Sequence, residues 1–175
     1  MGAAFWILAT IGALLALVII AGLIGASVQK ADKLPVDNSE AVKGYYTQLK
    51  GLNSTVSNAY LEATTKAAKG DAQGAYADFK GVAGQKIKGA IMLTYELQGN
   101  VPNVSDKQLL IDTTQKFLLS FNKRQDAVNF FIEGIEENNA GKFLEAKTAS
   151  EKADTYLIEA NTSLQAIADK YGFDK

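Results

Sequence analysis

The sequence predicts an all-α protein: an N-terminal transmembrane helix followed by an antiparallel four-helix bundle made of two long helical hairpins. Three observations predict it. Residues Ala3 to Val28 include no charged side chain. Beyond them, apolar residues recur at alternating steps of three and four, which places them on one face of each helix. No useful stretch alternates with the two-residue period of a strand. We divide the chain into an anchor (1–28), a linker (29–38) and a bundle domain (39–175).

The apolar segment Ala3–Val28 is long enough to cross a lipid bilayer. As a helix of about 26 residues rising about 1.5 Å each, it is about 39 Å long, against a hydrocarbon core of about 30 Å. A secretory signal peptide is the competing interpretation, because Gly25-Ala26-Ser27 resembles a cleavage site. Signal peptides have shorter apolar regions that follow basic residues, and no basic residue precedes this segment. We therefore expect an uncleaved anchor with the lipid bilayer as a partner.

Small residues recur four apart within this anchor. Such spacing lets two helix backbones approach closely in lipid, where packing drives association. It also fits a helix that only anchors, since Gly and Ala are common in membrane helices. The candidate transmembrane contact residues are Gly12, Ala16, Ala21, Gly22, Gly25 and Ala26.

The linker predicts a break before the first bundle helix, because it contains Pro35. Asp37 and Glu40 match a capping box, with Ser39 as a competing N-cap. The first bundle helix should then end near Gly70.

The second helix is predicted from about Ala72 to Leu97 and contains Gly81, Gly84 and Gly89. Each glycine costs about 0.5–1 kcal/mol relative to alanine inside a helix. We expect either the least stable helix of the set or glycines that serve close packing.

Ser105 and Gln108 predict a capping box for the third helix, and Gly172 predicts the end of the fourth. The third helix is the most apolar, so it should lie deepest or present a second apolar face. Its apolar residues are Leu110, Phe117, Leu118, Leu119, Phe121, Val128, Phe130, Phe131, Ile132 and Ile135.

An internal similarity predicts two related hairpins. Superposing Gly70 on Gly141 aligns Tyr60 with Phe131. The turns GDAQGAYADF and GKFLEAKTAS also resemble the turn between the paired helices of tetratricopeptide repeats. That resemblance covers about ten residues per hairpin, and the predicted helices are about twice as long as those in such repeats.

Composition excludes several classes of chemistry. The 18 basic and 19 acidic residues nearly cancel and form no basic stripe, so no nucleic-acid partner is expected. Without Cys there are no disulfides, thiolate nucleophiles or iron–sulfur clusters. Without His there is no Ser-His-Asp triad and no ferritin-type di-iron site. We predict a protein that is not an enzyme and needs no cofactor or metal.

Three polar residues in the third helix are candidates for a polar core layer that fixes helix register: Thr114, Arg124 and Gln125. Arg124 is the sole arginine. Two other interpretations of it remain open. Its fork of donors could bind an anionic ligand within the bundle, or it could be a solvated side chain paired with Asp126 or a carboxylate of a neighbouring helix.

Glu133, Glu136 and Glu137 cluster at the end of the third helix. Paired carboxylates can serve acid–base chemistry or hold calcium, but no loop here would wrap oxygens around a cation. We interpret them as a solvated helix end.

Asn53, Asn103 and Asn161 begin Asn-x-Ser/Thr triplets and are candidate glycosylation sites, each predicted on a loop or an exposed helix face. They favour an extracytoplasmic bundle, as does a long anchor that follows a two-residue tail. Lys30 and Lys33 favour the opposite side. We expect the extracytoplasmic arrangement.

The function predicted from these features is that of a non-enzymatic, single-pass cell-membrane protein acting through protein contacts. It would be an accessory or structural subunit of a membrane or cell-surface assembly, with other membrane-protein subunits or its own copies as partners. The alternative is a membrane-anchored, extracytoplasmic bundle that binds a small ligand between its helices.

Overall fold

A computed structural model describes residues 39–173, which are 88% helical and contain no strand. The prediction of an all-helical domain with four helices is confirmed, with the second helix divided in two. The helices are α1 (Ser39–Ala68), α2 (Ala72–Lys80), α3 (Val82–Gly99), α4 (Lys107–Glu136) and α5 (Ala140–Tyr171). α1 packs against α2 and α3, α4 packs against α5, and the two hairpins meet mainly through α3 and α4. Short turns reverse the chain within each hairpin.

The predicted anchor at Ala3–Val28, the linker and the capping residue Asp37 lie outside the described residues. Within residues 39–173, no helix combines the length and apolar character needed to cross a membrane. The described helices therefore form the predicted bundle part of the chain, and the anchor stays a prediction.

α4 lies deepest in the bundle, because it contacts every other described helix. Its buried apolar side chains recur every three or four residues, which is the period of one helix face. They include Leu110, Phe117, Phe121, Val128 and Phe131. Leu119 is the one large apolar side chain of α4 that is exposed. The sequence also allowed an exposed apolar face on this helix. In the structure, most of the exposed large apolar side chains lie on α3 instead.

The predicted start of α4 is wrong in detail. Its N-cap is Asp106 rather than Ser105, and the Gln108 amide donates to Asp112 instead of closing a capping box. Asp106 accepts hydrogen bonds from Lys170 Nζ at 2.6 Å and from Tyr171 Oη at 2.7 Å. The carboxylate thus joins the start of α4 to the end of α5. The Asp106 carboxylate bonds to a charged side chain of α5 and makes no side-chain cap hydrogen bond to α4.

The second predicted helix is interrupted at Gly81, which separates α2 from α3. A Cβ atom on Gly84 would lie only 2.2 Å from the carbonyl oxygen of Phe79, so the backbone approaches itself closely there. Phe79 in turn packs its ring against Tyr60 and Phe131, at centroid distances of 5.6 and 5.2 Å. The glycines at this break therefore allow the backbone to pack closely. This was one of the two interpretations that the sequence left open.

The Gly84→Ala variant should be destabilised by about 1–3 kcal/mol, because its methyl group meets a backbone carbonyl that cannot move without shifting the helix break. Gly51→Ala is the matched control, since no atom lies within 4 Å of the added Cβ. It should gain about 0.5–1 kcal/mol. Urea unfolding of both variants measures the difference. A Gly84→Ala variant as stable as Gly51→Ala would contradict the close approach.

The Asp106 contact predicts a loss of stability at acidic pH. The hydrogen bond from Lys170, aided by Tyr171, holds the pKa of Asp106 below its ordinary value of 3.8, while burial opposes the shift. Because the folded pKa is the lower one, this stabilisation is complete above about pH 3.8 and disappears as the pH falls through the folded pKa.

The difference in unfolding free energy between the wild type and Asp106→Asn should therefore shrink as unfolding is measured from about pH 6 to about pH 2. Lys170→Met removes the main donor and should weaken the same pH dependence. A wild-type advantage that stays constant over this range would show that Asp106 gains nothing from ionisation.

Candidate functional site

The most polar part of the core surrounds Arg124, whose side chain is only 3% exposed. Two other helices supply its neighbours: Tyr60 comes from α1, and Ser150 and Asp154 come from α5. Ser150 and Asp154 are four residues apart, so they lie on the same face of α5 one turn from each other. We call these four residues the Arg124 cluster.

Each side of the guanidinium group in this cluster has a partner. Arg124 Nη1 donates to Ser150 Oγ at 3.2 Å, and Nη2 donates to Asp154 Oδ1 in a buried ion pair. The guanidinium carbon lies 4.3 Å from the centroid of the Tyr60 ring, which is a cation–π distance. Two hydrogen bonds and one aromatic face therefore enclose the charge.

Burial dominates the electrostatics of the cluster. It raises the pKa of Asp154, and the positive charge of Arg124 opposes the shift. Burial likewise raises the pKa of Tyr60, again against Arg124. The tyrosine is therefore neutral at physiological pH. A buried ion pair of this kind adds little net stability, but removing one partner leaves an uncompensated charge.

The three residues of the predicted polar core layer lie at two levels of the bundle: Thr114 at one, and the neighbouring residues Arg124 and Gln125 at the other. Thr114 is buried, donates to the Leu110 carbonyl and accepts from the Tyr45 hydroxyl at 2.6 Å. Arg124 is about ten residues further along α4, or about 15 Å. Gln125 is half-buried and donates to Asn129, while its Oε1 has no hydrogen-bond partner among the described residues.

The partners of Arg124 were only partly foreseen. The expected pairing with a carboxylate of a neighbouring helix is present, because Arg124 pairs with Asp154. Arg124 is buried, however, and not solvated as that interpretation held. Asp126, the other candidate, pairs with Lys123 at 2.6 Å. Sequence reasoning missed Tyr60, Ser150 and Asp154. One sequence feature could have indicated Asp154 as a partner: its position places it beside the small residues that form the buried face of α5.

The carboxylates at the end of α4 make contacts between helices. Glu136 accepts from Lys80 Nζ and from Tyr76 Oη, each at 2.7 Å, and these bonds lower its pKa. Glu133 pairs with Lys142 of α5 at 2.9 Å. Among residues 39–173, no group of three or more acidic side chains is placed to hold a metal ion. These glutamates connect α4 with α2 and α5.

The three candidate glycosylation sites differ in access. Asn103 is exposed in the loop between α3 and α4. Asn53 and Asn161 are half-buried rather than exposed, and Asn53 Nδ2 donates to Asn161 Oδ1 at 3.0 Å across α1 and α5. In the folded bundle, Asn103 is therefore the most accessible acceptor. The candidate transmembrane contact residues, Gly12 to Ala26, lie outside the described residues.

The surface carries an open groove of about 580 Å³ between α1 and α3. Its lining includes the apolar residues Leu52, Leu93, Leu97 and Pro102, together with Gly51. A second groove of about 640 Å³ lies between the same two helices nearer to Val82. Both openings therefore lie on the outer side of α1 and α3.

Comparison with known proteins adds no family to these observations. No protein-family model, curated protein or solved structure matches this chain.

Removing one partner of the buried ion pair should lower the unfolding free energy far more than replacing both partners with apolar residues. Asp154→Ala leaves Arg124 buried and uncompensated, and should lose about 3–5 kcal/mol of unfolding free energy. The double variant Arg124→Met/Asp154→Leu should lie within about 1 kcal/mol of the wild type, since apolar replacements need no partner. Urea unfolding provides the measurement.

Asp126→Ala is the matched control, because its ion pair with Lys123 is at the surface and should contribute less than about 1 kcal/mol. An Asp154→Ala variant no weaker than Asp126→Ala would contradict the buried pairing.

Proposed function

We propose that this chain is a membrane-anchored, non-enzymatic protein that acts through protein contacts, as an accessory or structural subunit of a membrane or cell-surface assembly. The observation that carries the proposal is the outer face of α3. This helix alone carries four exposed large apolar side chains, Val82, Met92, Leu93 and Tyr95, which are 50–66% exposed. Leu119, Leu144 and Ile158 are scattered over α4 and α5. Clustered apolar exposure is typical of an interaction surface.

The anchor in this proposal rests on the uncharged segment Ala3–Val28. A linker of about ten residues spans at most about 33–36 Å when extended, so it would hold the start of α1 close to the bilayer. We place the bundle on the extracytoplasmic side, which the accessible Asn103 triplet supports. The partners are the lipid bilayer and other membrane-protein subunits or further copies of the chain. Near-neutral charge argues against nucleic acid.

A small-ligand module is the second candidate, because the groove between α1 and α3 has a volume within the usual range of ligand sites, about 300–1,000 Å³. Its open shape argues against it, since ligand pockets bury most of a ligand's surface. Arg124, the residue best suited to an anionic ligand, is already bound by Asp154 and Ser150. A contact function is therefore the better supported of the two.

The anchor is tested by washing membranes that contain the full chain with alkaline carbonate. Wild-type protein should remain in the membrane pellet. The Leu14→Lys/Val18→Lys variant should move to the supernatant, because each central lysine costs about 2.5–3.5 kcal/mol in a membrane helix. Equal release of both proteins would contradict the anchor.

The contact function is tested with a photoreactive amino acid at Leu93 in the same membranes, with Ile158 on α5 as the matched exposed position. Discrete protein adducts should form from position 93 and not from position 158. Equal labelling at both positions would contradict the proposal. An unlinked monomer whose melting temperature rises with a small molecule would favour the alternative.

A further inference from the structure

Three of the four exposed apolar residues of α3, all except Tyr95, belong to a longer stripe with a regular spacing. Its members recur every three or four residues, so they share the outer face of the helix. We call this set the α3 stripe: Val82, Gln85, Lys86, Gly89, Met92, Leu93 and Glu96.

We propose that the α3 stripe binds the same stripe of a second copy of the chain in antiparallel orientation, about a two-fold axis near residue 91. This inference rests on the proposed contact function and names its partner. An isologous contact requires that the surface be complementary to itself. Charge, shape and area each bear on that requirement.

The two charges of the stripe complement each other across the axis. Lys86 and Glu96 are about ten residues apart on one helix, or about 15 Å, which is too far for a pair within one chain. Among the described residues, neither side chain has an ion-pair partner. In the antiparallel arrangement, Lys86 of each copy faces Glu96 of the other. A parallel arrangement would place like charges together, which is unfavourable.

The shape of the stripe favours the same register. Gly89 has no atom within 4 Å of an added Cβ, so open space lies above its backbone. The axis near residue 91 places Leu93 of the second copy opposite that space. It also places Val82 of the second copy near Asn100, where the groove lined by Leu97 and Pro102 opens. In this register, exposed apolar side chains of one copy therefore face open space on the other copy.

The available area suits a weak, reversible dimer. α3 has 18 residues and is therefore about 27 Å long. Together with the flank of α1, the face is about 20 Å wide, because each helix is about 10 Å across. The contact would bury about 540 Å² per copy, or about 1,100 Å² in total, close to the lower limit of specific interfaces. Dimer formation should depend on concentration.

Antiparallel pairing has a consequence for anchored copies. The start of α1 at Ser39 lies at opposite ends of the two bundles in the pair. Anchors attached through the short linkers would leave the pair in opposite directions. The contact would therefore join copies that are held in two facing membranes.

Cysteine cross-linking tests the orientation, since the natural chain contains no cysteine. In the detergent-solubilised full chain, Met92→Cys lies near the axis and should form dimers with a short bis-maleimide. Val82→Cys should not cross-link to itself, because its two copies would be about 27 Å apart. A mixture of Val82→Cys and Asn100→Cys should give the mixed dimer. Ile158→Cys is the exposed control.

Charge reversal tests the pairing by a different route. Lys86→Glu and Glu96→Lys should each weaken dimerisation at least about tenfold in sedimentation experiments, because each creates two like-charge contacts. The double variant should return to within about threefold of the wild type. A double variant as weak as the single variants would overturn the proposal.

The remaining outcomes are equally decisive. Self-cross-linking of Val82→Cys would show a parallel pair, and Met92→Cys no more reactive than Ile158→Cys would show no pair. Protection of Met92→Cys from a water-soluble maleimide by phosphatidylcholine vesicles, without cross-links, would assign the stripe to lipid. Adducts of Leu93 with a different protein, without self-cross-linking, would overturn this inference while preserving the contact function.

Discussion

The burial of Arg124 is the constraint on which the arrangement of α1, α4 and α5 depends. An uncompensated charge in the core costs several kcal/mol, so only a register that brings Asp154 to the guanidinium is stable. A shift of one residue along α5 would turn Asp154 by about 100° away from this position. Tyr60 adds α1 to the same requirement, because its ring covers the face of the guanidinium. The main effect of the Arg124 cluster is to fix the alignment of the three helices. Its net contribution to their stability is small.

Contacts at both ends of the bundle reinforce this alignment. Near the two turns, the ring of Phe131 packs against Phe79 and Phe143 at 5.2 and 5.7 Å. At the opposite end, Asp106 joins α4 to the last turn of α5. α3 packs its inner face against α1 and α4, whereas its outer side carries exposed apolar side chains. The outer face of α3 is therefore available for contacts with other molecules, while its inner face packs in the core.

The sequence predicted the helices well because their periodicity reports burial directly. Gly84 was harder to interpret, because a glycine inside a helical pattern fits either a weak helix or a close approach. Only the position of the Phe79 carbonyl decides between the two. Arg124 follows Phe117 and Phe121 at helical spacing, which already indicated the buried face. Its partners could not be predicted, because they belong to other helices and are chosen by the packing of three elements. The start of α4 was misplaced for the same reason, since Asp106 binds across the bundle.

The most direct measurement of this constraint is the NMR spectrum of the Arg124 guanidinium group. As the sole arginine, it gives an unambiguous signal. Burial with fixed partners predicts separate, slowly exchanging Nη protons with nuclear Overhauser contacts to the Tyr60 ring. A single averaged Nη signal that exchanges rapidly with water, without contacts to Tyr60, would contradict the role of Arg124 in aligning the helices.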